Sequence, residues 1–146
     1  MSIEDDVALL ERVPTLRLLG TTALRMLAIG SEQRDFARGD LLFNAGDDAD
    51  AGYIVQRGAF RVEDGGAEII AGPGALIGEL ALIVAMRRPS SAIAIEHSTV
   101  IRVARSLFQR VLESDPAAAR RLRDELATRT SQLASEILMA GAKLST

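Results

Sequence analysis

The chain has 146 residues, 48% of them apolar and 25% charged, with a net charge of −3; this is enough for one domain with its own core, and it excludes binding to nucleic acid through bulk positive charge. Cysteine is absent and histidine occurs once, which excludes disulfides, thiolate catalysis, thiolate metal sites and a multi-histidine metal centre. The start, Met-Ser-Ile-Glu-Asp-Asp, lacks the basic segment of a secretory leader, and no apolar run nears the ~20 residues that span a bilayer, so a soluble cytoplasmic protein is expected.

Val7, Leu9, Leu10 and Val13 mark a helix ahead of Pro14. Leu16, Leu18, Leu19, Ala23, Leu24, Met26, Leu27 and Ile29 then recur at intervals of three and four, which predicts a second helix capped by Thr21 or Thr22 and ended by Gly30. From Arg34 to Val103 short β-prone runs alternate with turns such as Arg38-Gly39-Asp40, Arg57-Gly58 and Gly72-Pro73-Gly74, the texture of a β-sandwich or barrel. Asp64-Gly65-Gly66 reads as a tight hairpin, since glycine takes positive φ without steric cost. Leu107, Phe108, Val111 and Leu112 predict a short amphipathic helix from Ser106, and Asp115-Pro116 opens another as N-cap and first helical residue. That last helix runs to Ala140 before Gly141. Its stripe of Ala119, Leu122, Leu126, Leu133, Ile137 and Ala140, interrupted by Arg129, fits either a homodimer through the C-terminal helix or a cover for the sandwich.

The most informative stretch runs from Pro73 to Ala92. An apolar strand reaches Gly78, Glu79 follows, then a short apolar turn, then Arg88 ahead of small residues. This order brings a carboxylate, a guanidinium and the free amides of a helix start to one region, a set that suits an anionic phosphate joined to a hydroxylated sugar. Charge is uneven: residues 1–86 carry 7 basic and 14 acidic side chains, residues 87–146 carry 10 and 6. Arg87 competes with Arg88 for the anion. His97 reads as an exposed turn residue. No nucleophile–base pair or carboxylate dyad is evident, so no enzyme activity is expected.

Helices, a glycine-rich sandwich and a long final helix, in that order, resemble the cyclic nucleotide-binding domain over about residues 7–140. Phe36 to Asp47 looks like the family's early strand pair, and Ala49 to Gly58 like the strand and glycine turn that follow. Ile77-Gly78-Glu79-Leu80-Ala81-Leu82 with Arg88-Pro89-Ser90-Ser91-Ala92 is similar to the phosphate-binding cassette. Glu79 and Arg88 are nine apart, as in the kinase regulatory subunits of that family, and by that spacing the resemblance implies Arg88 rather than Arg87 for the anion, with Arg87 solvated. The resemblance implies a mainly β protein with flanking helices, a jelly-roll (double-stranded β-helix) sandwich in a single domain over 1–146. Its parts are N-terminal helices at 1–32, a β-roll at 33–104 with the cassette at 77–92, and C-terminal helices at 105–141.

It further implies that Arg88 holds the cyclic phosphate and that Glu79 accepts from the ribose 2′-hydroxyl and balances the buried arginine. Backbone amides of Gly78, Leu80 and Ala81 would face the phosphate, and Ser90 and Ser91 would offer hydroxyls near the phosphate and the base. Pro89 departs from the pattern: it has no N–H, so one contact is missing or replaced by Ser90, worth ~1.5–3 kcal/mol to a charged partner. For the base, counting from Pro116 without gaps points to Leu133 and Ala134, a shift of about one turn to Thr130 and Ser131, and Leu133, Ile137 or Leu138 could cap the purine. The implied ligand is cAMP, with cGMP open; there is no cofactor, and occupancy would pass through the C-terminal helices to an unidentified effector protein. Too few residues follow Ala140 for a helix-turn-helix, so no direct DNA binding is expected. The alternative is a degenerate domain that serves protein–protein interaction or dimerisation without nucleotide.

Overall fold

Ser2 and Asp5 cap the first helix reciprocally: the Ser2 hydroxyl accepts from the Asp5 amide at 3.2 Å, and the Asp5 carboxylate accepts from the Ser2 amide at 3.4 Å. That helix, α1 (Ile3–Glu11), opens a computed structural model that describes residues 2–64 and 66–129. Pro14 then starts α2 (Pro14–Arg17) at the position where its missing N–H costs nothing. The apolar run from Leu16 to Ile29 is broken at Gly20, whose φ of 85° turns the chain into α3 (Thr21–Gly30). Gly20 is the N-cap, so the threonine cap expected from the sequence is not used: Thr21 and Thr22 are already inside the helix. Gly30 ends α3 as expected; a Cβ there would lie 2.8 Å from Leu107, so its absence also makes room for the next helical layer.

Ten strands follow among the described residues: β1 (Glu32–Phe36), β2 (Leu41–Phe43), β3 (Asp48–Ala49), β4 (Ala51–Arg57), β5 (Phe60–Asp64), β6 (Ala67–Ala71), β7 (Leu76–Ile77), β8 (Met86–Arg87), β9 (Ala92–Ala94) and β10 (Ser98–Ala104). They form antiparallel sheets in the orders β1-β10-β4-β7 and β2-β9-β5-β6, with β3-β8 as a small third pair. This is the jelly roll that the resemblance implied, and it falls within the sandwich or barrel that the turn spacing suggested. The hairpin at Asp64 is present, with Asp64 opposite Ala67 and Gly66 at φ 87°. Alternation along β4 divides the core. Ala51, Tyr53 and Val55 pack with Phe60, Ile77 and Val100 inside the roll, while Ile54 joins Leu10, Leu24, Val103 and Phe108 under the helices. His97 is exposed in the turn before β10, as expected.

Two helices complete the described chain: α4 (Arg105–Ser114) and α5 over 116–129. Asp115 caps α5 as predicted, its carboxylate accepting from the Ala118 amide at 3.2 Å. Leu122 is buried in the helical core cluster, with Leu126 packed against it. Arg121 donates to the Leu18 and Leu19 carbonyls at 2.7 and 3.0 Å, fastening α5 to the turn before α3. The first half of the apolar stripe therefore covers the domain itself; Leu133, Ile137, Ala140 and Gly141 lie outside the described residues.

Candidate functional site

β7 delivers the chain to Gly78, which adopts a left-handed conformation (φ 79°, ψ 38°) and turns it into a four-residue 3-10 helix, Glu79–Leu82. The expected short helix is thus a single tight turn. β8 and the run before β9 bring the chain back, so that Gly78, Glu79, Leu80, Ala81, Arg88, Pro89 and Ser90 line one cavity of ≈ 220 Å³, with Phe43, Val62, Ile77 and Met86 completing its wall. A second hollow of ≈ 350 Å³ shares Val62, Ile77, Gly78, Pro89 and Ser90 with the first and extends along Ile69 and Ile70 of β6. Seven of the eight described residues singled out for the site therefore share one space. Ser91 does not line it: after the bend at Pro89 and Ser90, the Ser91 hydroxyl accepts from the Ala45 amide at 2.8 Å instead. Thr130, Leu133, Ala134 and Ile137 lie outside the described residues.

Arg88 is 5% exposed. Its Nη2 donates to the Ala51 carbonyl at 2.8 Å, and its Cζ lies 4.2 Å from the centroid of the Phe43 ring and 5.5 Å from that of Tyr53. Its Nε is buried without a hydrogen-bond partner. Burial pushes the guanidinium below its usual pKa, against smaller opposing effects of Tyr53 and Asp50. Arginine stays charged through such a change, so the site holds a buried cation that no carboxylate pairs with among the described residues. Arg87 is exposed, as expected.

Glu79 does not balance Arg88, which corrects the sequence expectation. Its Oε1 accepts from the Thr15 hydroxyl at 2.6 Å and pairs with Arg129 Nη1 at 3.2 Å. The physical reason is reach: α2 and α5 meet behind the 3-10 turn and offer Glu79 a cation closer than the one across the cavity. The Ala81 amide is also not available to a ligand, because it closes the turn onto the Gly78 carbonyl at 3.1 Å. The Leu80 amide has no acceptor among the described residues.

A family model described as the cyclic nucleotide-binding domain matches residues 33–115. The chain belongs to the cyclic nucleotide-binding domain family. An uncharacterized NTE family protein of Mycobacterium tuberculosis is 31% identical over 133 residues, covering 84% of this chain and 23% of that protein, so the chain spans about a quarter of the relative's length. A cyclic nucleotide-binding-like protein from Brucella abortus is 36% identical with a TM-score of 0.65, covering 75% of this chain and 98% of that one. The N-terminal domain of a transcriptional regulator from Streptomyces coelicolor is 27% identical with a TM-score of 0.79, over 88% of this chain and 94% of that one.

Sequence reasoning missed several parts of this cyclic nucleotide-binding domain. Phe43 and Tyr53, two of only five aromatic residues, are neighbouring rings that both contact the cassette arginine. Their rarity in an aliphatic chain was the available signal. Arg105, at the start of α4, donates through Nη1 to the carbonyls of Ala49, Ala81 and Val84 at 2.7, 3.1 and 3.1 Å, and so fastens the 3-10 turn to α4. Arg129 was visible only as a charge on an apolar stripe, and nothing in the sequence marked Thr15.

Proposed function

We propose that this domain is a non-catalytic sensor of a cyclic nucleotide, cAMP before cGMP, that passes occupancy to an effector protein through its C-terminal helices. The single observation that carries this reading is the buried, carboxylate-free guanidinium of Arg88 at the wall of a cavity formed by the cassette. An anionic occupant supplies the missing counter-charge, and a guanidinium can hold two phosphate oxygens through parallel charge-assisted bonds. Gly78 permits close approach, Leu80 has an amide to spare, and Glu79 and Ser90 line the same space for a ribose and a phosphate oxygen. The neighbouring hollow along Val62, Ile69 and Ile70 offers an apolar surface for a base.

The output follows from the fastening of the turn. Ligand binding draws the turn Gly78–Ala81 inward; Arg105 holds the Ala81 and Val84 carbonyls, and Leu82 is buried among Phe108 and Leu122, so α4 and α5 move with it. The ligand biases two states only by its differential affinity for them. The same reading makes residues 1–146 one cytoplasmic sensing unit without its own DNA contact, consistent with the net charge of −3. Among the described residues no helix is long and apolar enough to cross a membrane, and no group of three or more ligating side chains could hold a metal.

Thermal unfolding with and without each nucleotide tests the reading. At 100 times its dissociation constant one ligand adds about 2.7 kcal/mol to the stability of the folded state. Absence of any shift with both cAMP and cGMP would leave the degenerate interaction module in its place. A second expected result concerns Pro89. Pro89→Ala restores a backbone donor beside the phosphate and raises affinity about tenfold, the equivalent of one hydrogen bond to a charged group. Calorimetric titration measures it; an unchanged affinity would mean that Ser90 already supplies that bond.

A further inference from the structure

Glu79 stands where the N-terminal helices, the cassette turn and the last described helix meet. Its Oε1 accepts from Thr15 Oγ1 at 2.6 Å and from Arg129 Nη1 at 3.2 Å, while Arg129 Nη2 donates to Thr15 Oγ1 at 2.7 Å. The three side chains close a ring of hydrogen bonds with a defined direction: because Thr15 accepts from Arg129, its own proton is free to go to Glu79. Thr15 is 4% exposed and sits in the first turn of α2, so it is a fixed anchor. Oε2 has no hydrogen-bond partner among the described residues, although Glu79 lines the cavity with Gly78 and Arg88.

An unrestrained glutamate must give up several side-chain rotations to meet a ligand hydroxyl, and a group pinned beforehand does not. We infer that Thr15 and Arg129 are positioning residues that fix Oε1 of Glu79 and so present Oε2 to the ribose 2′-hydroxyl. This rests on the cyclic-nucleotide reading of the cavity. It makes selection of the 2′-hydroxyl depend on two side chains outside the cassette, one on each helical flank. Ribose selectivity and the docking of α5 become one property: when Arg129 leaves, Glu79 loses its fixed orientation.

The test is calorimetric titration of the full chain with cAMP and cGMP and with their 2′-deoxy counterparts. The parent is expected to prefer the ribonucleotide roughly tenfold or more, as for one hydrogen bond to a charged acceptor. Arg129→Ala and Thr15→Val should each compress that preference to within about threefold, through weaker ribonucleotide binding, while the 2′-deoxy affinity, held by Arg88, stays put. Arg129→Lys, with a single nitrogen to share between Glu79 and Thr15, should fall between. A merely structural role would weaken both nucleotides alike and leave their ratio intact, and that result overturns the inference, as does a parent that binds the two equally. A parent that binds none of the four overturns the sensor reading itself. Arg129 is partly exposed, so its replacement keeps the comparison available if Thr15→Val unfolds the protein.

Discussion

Arg88→Met is expected to lower nucleotide affinity about 100-fold or more while leaving the stability of the ligand-free protein within about 2 kcal/mol of the parent. The two effects separate because Arg88 has little to lose inside the protein. Its side-chain contacts include the Ala51 carbonyl at 2.8 Å, the ring of Phe43, and Tyr53, through both its ring and a side-chain hydrogen bond. Losing the first leaves a buried acceptor unpaired, at about 1–3 kcal/mol. Losing the cation–π contacts costs about 1–2 kcal/mol. Against these stands the desolvation of an unpaired guanidinium, several kcal/mol that methionine, of similar length, does not incur. For a ligand the sum differs: among the described residues the guanidinium is the one buried cation on the cavity wall, and the desolvation has already occurred before the phosphate arrives. Thermal melts and calorimetry on the same preparation read both quantities. Parent-like affinity in Arg88→Met would end the assignment of the phosphate to this residue.

Gly78→Ala is expected to cost about 2 kcal/mol or more of stability and at least tenfold in affinity. Gly78 has φ 79° and ψ 38°, the left-handed region, where a Cβ adds roughly 1–2 kcal/mol. The added carbon would also lie 2.5 Å from Arg88 Nη1, a separation that real contacts do not reach, so the guanidinium must leave its seat against Ala51. Denaturant unfolding measures the first effect and nucleotide titration the second. By contrast Gly39 and Gly46 have positive φ with nothing within 4 Å of an added Cβ, so alanine there carries the backbone strain alone. A Gly78→Ala protein with the affinity of the parent would show that the seat of Arg88 against the turn does not matter for binding.

Both expectations rest on a part of the molecule that was readable before any coordinates. The cassette order of Gly78, Glu79 and Arg88, the Asp64 hairpin and the Asp115 cap are all set by neighbours a few residues away, through positive φ, capping oxygens and the missing N–H of proline. The threonine cap before α3 failed for an equally local reason: Gly20 offers the left-handed turn one residue earlier, and the chain uses it. Ser91 failed because its hydroxyl is taken by the Ala45 amide, a partner 46 residues away that only the folded chain brings near.

What the sequence determined by itself was therefore a β-sandwich or barrel, which the family resemblance narrowed to a jelly roll, with its helical flanks and the short segment that forms the cavity wall, since periodicity and turn chemistry act over a few residues. Only the tertiary structure decided which charge meets which. Glu79 pairs with Arg129 and Thr15, positions 50 and 64 residues away along the chain, and not with the arginine nine residues on. An ion pair between distant segments has no period to announce it; it follows whichever side chains the packed helices bring within reach. Here the docking of α2 and α5 behind the turn leaves Arg88 buried without a carboxylate among the described residues, and that cation is what an anionic ligand can satisfy.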